Sequence, residues 1–147
     1  MGDRALVVFV SKKDSEVSPV IYTHWGGDST PIRLVECFEL MKGCRDDLAY
    51  VAARYVGLLH ASTGGNTGMG MWNAPTGTFD EILATLSSGD YSHGDAGVFL
   101  VHIDEPTWKV EVFHGYGFQL VREPDPEHLK VQGLHIRSEN LAELIDP

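Results

Sequence analysis

The alternation of apolar and polar positions along the chain predicts two strand hairpins. Residues 5–10 form an unbroken apolar run, which is typical of a strand buried on both faces. Residues 17–23 are β-branched and aromatic, and the polar turn before them predicts an antiparallel return. Residues 96–103 and 108–113 predict a second hairpin, because a tight turn separates them and the latter run alternates cleanly between apolar and polar side chains.

Apolar side chains at helical spacing predict two adjacent helices between these hairpins. The first is expected to begin at Pro31, which suits the first helical position, and to end at Gly43. The second is expected to start at Asp46 or Asp47 and to carry its apolar face through Leu59. Because the connection between them is short, the two helices are expected to form a helical hairpin.

Shorter elements are predicted from local signals. Residues 69–73 favour a short strand, and residues 78–81 (Thr-Phe-Asp-Glu) form a capping box that predicts a third helix. A further strand is expected over residues 116–122, and Ser138 is expected to cap a last helix. The main elements therefore follow the order ββ-αα-β-α-ββ-(α).

This order predicts a single α+β domain over residues 1–147, in which residues 122–147 form a charged C-terminal segment. Strands joined as hairpins imply a mainly antiparallel sheet of about five strands, with the helices packed on one face. A chain of 147 residues has the length of one domain and can bury a substantial core.

The charge balance narrows the class of partner. The chain has 21 acidic and 11 basic residues and a net charge of −10. This balance makes direct nucleic-acid binding or docking on an anionic membrane unexpected, since both need clustered Lys and Arg. A basic protein partner, mimicry of nucleic-acid charge and plain solubility are all compatible with it.

Other features favour a cytoplasmic protein without a membrane anchor. No signal-peptide pattern follows Met1. No apolar run approaches the ~20 residues that a membrane helix needs. Cys37 and Cys44 fall about two helical turns apart, a rise of roughly 10 Å that is too long for a disulfide, so both are expected to be reduced thiols.

The stretch over residues 22–28 has the densest concentration of chemically capable groups. A histidine at a strand end, His24, is a candidate acid, base or ligand. Gly26 and Gly27 would let a ligand approach the backbone at the start of the following helix. The alternative is a tight structural turn, with Trp25 as a core plug and His24 as a hydrogen-bonded structural residue.

Three further polar residues are candidates for chemistry near the ends of strands. With His24, the pair His93 and Asp95 forms a candidate catalytic set, and His93, Asp95 and His114 form a candidate metal set. No histidine pair has local ligand spacing, so neither a metal nor any other cofactor is predicted. The glycine-rich loop over residues 62–68 lacks the Gly-Lys-Ser/Thr ending of a phosphate-binding loop.

Aromatic residues in predicted loops suggest a binding surface instead. Trp25, Trp72 and Tyr91, with Gly26 and Gly27 beside the first of them, suit the hot spot of a protein interface. The other explanation is that most of these rings belong to the core.

The motif Tyr22-x-His24-Trp25-x-Gly27 resembles the one found in a set of small bacterial and phage proteins of unknown function, in which a strand hairpin ends at the motif and continues into a helix. A Gly-Asp-x-Gly-Val stretch before a later strand is similar to residues 94–98. The resemblance implies an origin in a phage or mobile element and implies no activity.

The leading hypothesis is an acidic accessory protein that binds another macromolecule, most simply a protein. The competing hypothesis is a small metal- or nucleotide-dependent hydrolase built on His24, His93 and Asp95. An acidic inhibitor of a nucleic-acid enzyme is a third.

Overall fold

A computed structural model describes residues 2–62, 68–91, 95–104 and 108–116, together with the backbone of residues 134–136. Its elements are β1 (Ala5–Ser11), β2 (Glu16–Val17), β3 (Val20–Thr23), α1 (Thr30–Leu40), α2 (Leu48–Ser62), β4 (Met69–Trp72), α3 (Phe79–Leu86), β5 (Gly97–His102), β6 (Trp108–Phe113) and β7 (Leu134–Ile136). A short 3-10 turn, Gly27–Ser29, precedes α1.

The predicted order of elements is confirmed from β1 to β6. The strand expected over residues 17–23 is divided, because the Ser18 hydroxyl accepts a hydrogen bond from the Phe9 backbone at the point where β2 ends. The strand expected over residues 116–122 and the helix expected after Ser138 fall outside the described residues, apart from Tyr116, which is in a turn. The sequence pattern did not predict β7.

One mixed sheet organises the domain. The strand order is β4-β3-β1-β5-β6-β7, and the short strand β2, which is not part of this order, pairs with β1. The β1–β5 and β6–β7 pairs are parallel, whereas the other four pairs are antiparallel. The α+β class, the single domain and the mainly antiparallel sheet are confirmed.

The larger core lies between the sheet and the α1–α2 hairpin. Phe9 of the central strand meets Tyr55 of α2 and Trp108 of β6 edge to face, at centroid distances of 5.5 and 5.9 Å. Phe38 of α1 contacts the same indole at 5.1 Å. The buried Trp108 Nε1 donates to the Arg45 carbonyl at 3.0 Å, so this polar atom does not oppose burial.

The third helix packs on the opposite face of the sheet from α1 and α2, so the expectation that the helices pack on one face is wrong. Every side chain of β1 is buried, so both faces of this strand need cover. Leu86 of α3 completes that cover by packing in one cluster with Leu6 and Val8. The predicted capping box is present at its start, where Thr78 and Glu81 satisfy each other's backbone N–H groups.

Both cysteines are free thiols, as expected. Cys37 is buried, and burial raises its pKa to about 12, whereas Cys44 is partly exposed. In the part of the chain that the structure describes, no helix has the length and apolar character required to cross a bilayer.

Candidate functional site

The chain turns sharply between β3 and α1, and the two glycines of this turn have different roles. Gly26 adopts a left-handed conformation with φ of 69°. Gly27 is buried and donates its N–H to the Asp3 carbonyl at 2.8 Å, and a Cβ there would lie 2.8 Å from the same oxygen. The turn is therefore a close-packed structural corner. Trp25 is 47% exposed, so the expectation that it plugs the core is wrong.

Five aromatic rings form a connected series along the β3–β4 edge of the sheet, which we call the aromatic row: Trp25, His24, Tyr22, Trp72 and Tyr91. Their ring centroids are 4.7 Å apart between Trp25 and His24, 6.2 Å between His24 and Tyr22, and 5.6 Å between Tyr22 and Trp72. Trp72 Nε1 donates to the Tyr91 hydroxyl at 3.1 Å. The structure thus brings together the three aromatic residues that the sequence singled out for binding.

The strand register explains how the row forms. Tyr22 pairs with Gly70, and Val20 pairs with Trp72, so Tyr22 and Trp72 are diagonal neighbours on one face of the sheet. The Tyr22 ring lies over Gly70, with its nearest atom 4.0 Å from where a Cβ would be, which is an ordinary contact distance. Sequence reasoning missed Tyr22 as the ring that joins the two tryptophans, because the pairing of β3 with β4 is not encoded locally.

The row lies beside an open sheet edge. Among the described strands, β4 pairs with β3 alone, and its four residues carry no charge. Met71 is 48% exposed and Trp72 is 37% exposed. A strand edge of this kind is unusual in a free protein, because unpaired backbone groups beside apolar side chains promote association.

The candidate catalytic residues His24 and Asp95 lie at the same end of the sheet, because Ala5 pairs with both Thr23 and Gly97. A 2.7 Å hydrogen bond joins His24 Nδ1 to the Tyr22 hydroxyl. The Asp95 carboxylate accepts from the backbone N–H and the Nε of Arg4, at 3.1 and 2.8 Å.

The hydrogen bonds from Arg4 hold the pKa of Asp95 below its ordinary value, and a smaller contribution comes from His24. Asp95 is therefore an ionised partner of Arg4, and Arg4 rather than His24 orients its carboxylate. His93, the third candidate, lies outside the described residues.

The candidate metal ligands are only partly placed. The ring of His114 is joined by its Nε2 to the Ser87 carbonyl at 2.9 Å, at the end of α3, while the Asp95 carboxylate is engaged by Arg4. Within the described ranges, no group of three or more His, Cys, Asp and Glu side chains could hold a metal ion. These contacts give each of the two residues a structural role.

One polar cluster was not found from the sequence. The Tyr116 hydroxyl donates to Asp3 Oδ1, although the two residues are far apart in the chain. Burial, then the hydrogen bond to Asp3 and the negative charges of Asp3, Asp28 and Asp95, raise the pKa of Tyr116 well above its ordinary value. Tyr116 therefore stays protonated and ties the end of β6 to the segment before β1.

Comparison with known proteins gives no relative from which a role could be transferred: the chain matches no protein-family model, no curated protein and no solved structure.

Proposed function

We propose that the protein acts by binding another protein at the open edge of β4. The observation that carries this proposal is an uncharged edge strand with one described partner and two exposed large side chains, Met71 and Trp72. An extended segment of a partner can add to such an edge, with backbone hydrogen bonds giving affinity and alternate side-chain pockets giving specificity.

The aromatic row supplies the anchors for this partner. Trp and Tyr are the residues most enriched at the centres of interfaces, because they bury a large area at a small cost in side-chain entropy. The net charge of −10 favours a partner segment that is basic or flanked by basic residues. In this proposal the protein is a cytoplasmic accessory protein without an activity of its own, and the motif at Tyr22 supports an origin in a phage or mobile element.

The contacts of the candidate catalytic residues favour this proposal over a hydrolase. A general base must be free to accept a proton from a nucleophile. The Asp95 carboxylate is held by Arg4 and is therefore a poor general base, whereas the bond between His24 Nδ1 and Tyr22 leaves Nε2 of that ring outside this contact. We therefore assign these side chains to the support of the sheet end and of the aromatic row.

The backbone of β4 offers a selective test. His24 N–H donates to the Gly68 carbonyl, and hydrogen-bonded pairs alternate along an antiparallel ladder. Counting along the ladder from the bonded pair His24–Gly68, the pair Ile21–Met71 is not hydrogen-bonded. The N–H of Met71 therefore points away from β3. Met71→Pro removes an N–H that only an added strand would use, and proline is tolerated at such an edge position.

The experiment captures partners from the native host lysate with wild-type protein, with Met71→Pro and with Met71→Thr, and then measures the affinity of the purified partner by calorimetry. Because Met71→Thr keeps the N–H, we expect it to bind more tightly than Met71→Pro, whose affinity falls at least about tenfold, or ~1.4 kcal/mol. Trp72→Ala should also weaken binding. A partner that binds Met71→Pro and Trp72→Ala as tightly as wild type would rule out the β4 edge.

A further inference from the structure

A cavity of about 320 Å³ lies at the start of α1, on the helix side of the structural corner. Trp25 and Leu58 provide apolar walls, and Ser29 and Arg33 provide polar ones. Its volume is at the lower end of the range for small-molecule sites, which is about 300–1,000 Å³.

Arg33 is an unusual residue to find in the wall of this cavity. It is only 6% exposed, yet no carboxylate of the described residues lies within ion-pair distance of its guanidinium. Nη2 donates to the Gly26 carbonyl at 3.0 Å and to the Thr30 hydroxyl at 3.4 Å. The Tyr55 hydroxyl is a further neutral neighbour of the guanidinium, and Nε has no acceptor within hydrogen-bond distance among the described residues. A buried cation without a counter-charge is unfavourable, so the site has a strong preference for an anion.

The start of α1 adds to this preference. Ser29, the N-cap residue, makes no side-chain capping bond and the first turn of α1 contains no acidic residue, although the 3-10 turn that leads into it contains Asp28. The N-terminal end of a helix carries a partial positive charge and favours anions. The buried guanidinium is therefore the main source of the preference for an anion, and Asp28 and the Asp3 carboxylate offset part of the contribution from the helix start.

We propose that this cavity binds a small organic oxyanion, a carboxylate or a phosphate monoester, whose anionic group pairs with Arg33 and whose apolar body packs on Trp25. Arg is the side chain best suited to a planar oxyanion, because its donors form a fork that matches two oxygens. The exposed carboxylate of Glu36 also lines the cavity and disfavours ligands with several negative charges. The proposal does not require binding at the β4 edge, although Trp25 belongs both to the cavity wall and to the aromatic row.

The test is an NMR titration of ¹⁵N-labelled protein that follows the side-chain Nε–H signal of Arg33 and the backbone amides around the cavity. The probes are inorganic phosphate, acetate, benzoate and phenyl phosphate. We expect a saturable shift of the Arg33 signal, with the two aromatic probes at least about tenfold tighter than acetate and inorganic phosphate because the ring is buried against Trp25. The ratio between benzoate and phenyl phosphate identifies the preferred oxyanion.

Three variants separate a specific site from general charge attraction. Arg33→Met removes the guanidinium and should weaken the better aromatic probe at least about tenfold. Arg54→Gln, on the exposed side of α2, removes the same formal charge and should leave the affinity unchanged. Glu36→Gln removes a repulsive charge from an exposed position and should tighten binding about twofold.

Several outcomes would overturn the proposal. One is the absence of a saturable shift with any probe up to about 100 mM, a hundredfold above a Kd of ~1 mM. Another is equal weakening by Arg33→Met and Arg54→Gln, which would indicate diffuse attraction. If Arg33→Met does not fold, wild-type affinity in Glu36→Gln would overturn it as well, because a ligand anion in this cavity must sense that carboxylate.

Discussion

The structural corner between β3 and α1 allows its two glycines to be distinguished by stability. Replacing Gly27 with Ala places a Cβ 2.8 Å from the Asp3 carbonyl oxygen and 3.0 Å from the Arg4 carbonyl oxygen. Both contacts are to backbone, so no side-chain rotation can relieve them. Gly26 is the opposite case: a Cβ there meets nothing closer than Arg33 Nη1 at 3.8 Å, but the residue must keep φ at 69°.

The expected magnitudes differ accordingly. Overpacking of this kind costs about 1–3 kcal/mol, and loss of the 2.8 Å bond from Gly27 N–H to Asp3 adds about 1 kcal/mol, so Gly27→Ala should lower the free energy of unfolding by about 2–4 kcal/mol. Gly26→Ala should lower it by about 1–2 kcal/mol, the cost of a left-handed conformation for a residue with a Cβ. Gly57→Ala, inside α2 with no atom within 4 Å, should raise it by about 0.5–1 kcal/mol.

Urea unfolding followed by circular dichroism measures all four proteins on one scale. For a chain of this size, about 3 °C of melting temperature accompanies each kcal/mol, so the Gly27→Ala protein should melt roughly 6–12 °C below wild type. The expected order of stability is Gly57→Ala, wild type, Gly26→Ala, Gly27→Ala. If Gly27→Ala is no less stable than Gly26→Ala, the close packing of the corner against the segment before β1 is refuted.

Two further predictions concern titratable groups. Because burial raises the pKa of Cys37 to about 12, a thiol reagent should modify Cys44 alone in the native protein and both cysteines in urea. Mass spectrometry measures the extent of modification at each cysteine. Equal rates of modification of the two cysteines in the native protein would contradict the burial of Cys37. Because bonds from Arg4 lower the pKa of Asp95 in the folded state, their stabilisation is complete above the ordinary aspartate pKa and is lost as the pH falls through the lowered value. The difference in free energy of unfolding between wild type and Asp95→Asn should therefore be largest near neutral pH and shrink in acid. A difference that grows in acid would show that folding does not lower the pKa of Asp95.

The elements of this domain could be predicted where their signals are local. The capping box of Thr78 and Glu81 needs only a spacing of three residues, and it is present as predicted. The start of the first long helix was expected at Pro31 and is observed at Thr30. The prediction that the helices pack on one face was wrong for α3, because the pattern of a short helix does not indicate which side of the sheet it covers.

The site was less predictable because its contacts join distant parts of the chain. Trp25, Trp72 and Tyr91 were identified by residue type, but their connection through Tyr22 depends on the β3–β4 register. The bond from Tyr116 to Asp3 likewise appears only in three dimensions, as does the lack of a carboxylate partner for Arg33 among the described residues. A sequence pattern gives the chemistry of a side chain, whereas its partner is set by tertiary structure.

The central position of β1 has a consequence for synthesis of the protein on the ribosome. One edge of this strand pairs early with β3, but the other must wait for β5, since Ala5 pairs with Gly97. Until then a strand that is apolar from Ala5 to Val10 has unpaired backbone groups, which makes the nascent chain prone to association. The long sequence separation of this parallel pair also slows folding of the complete chain. Pairing of β1 with β5 is therefore expected to be a late step in folding.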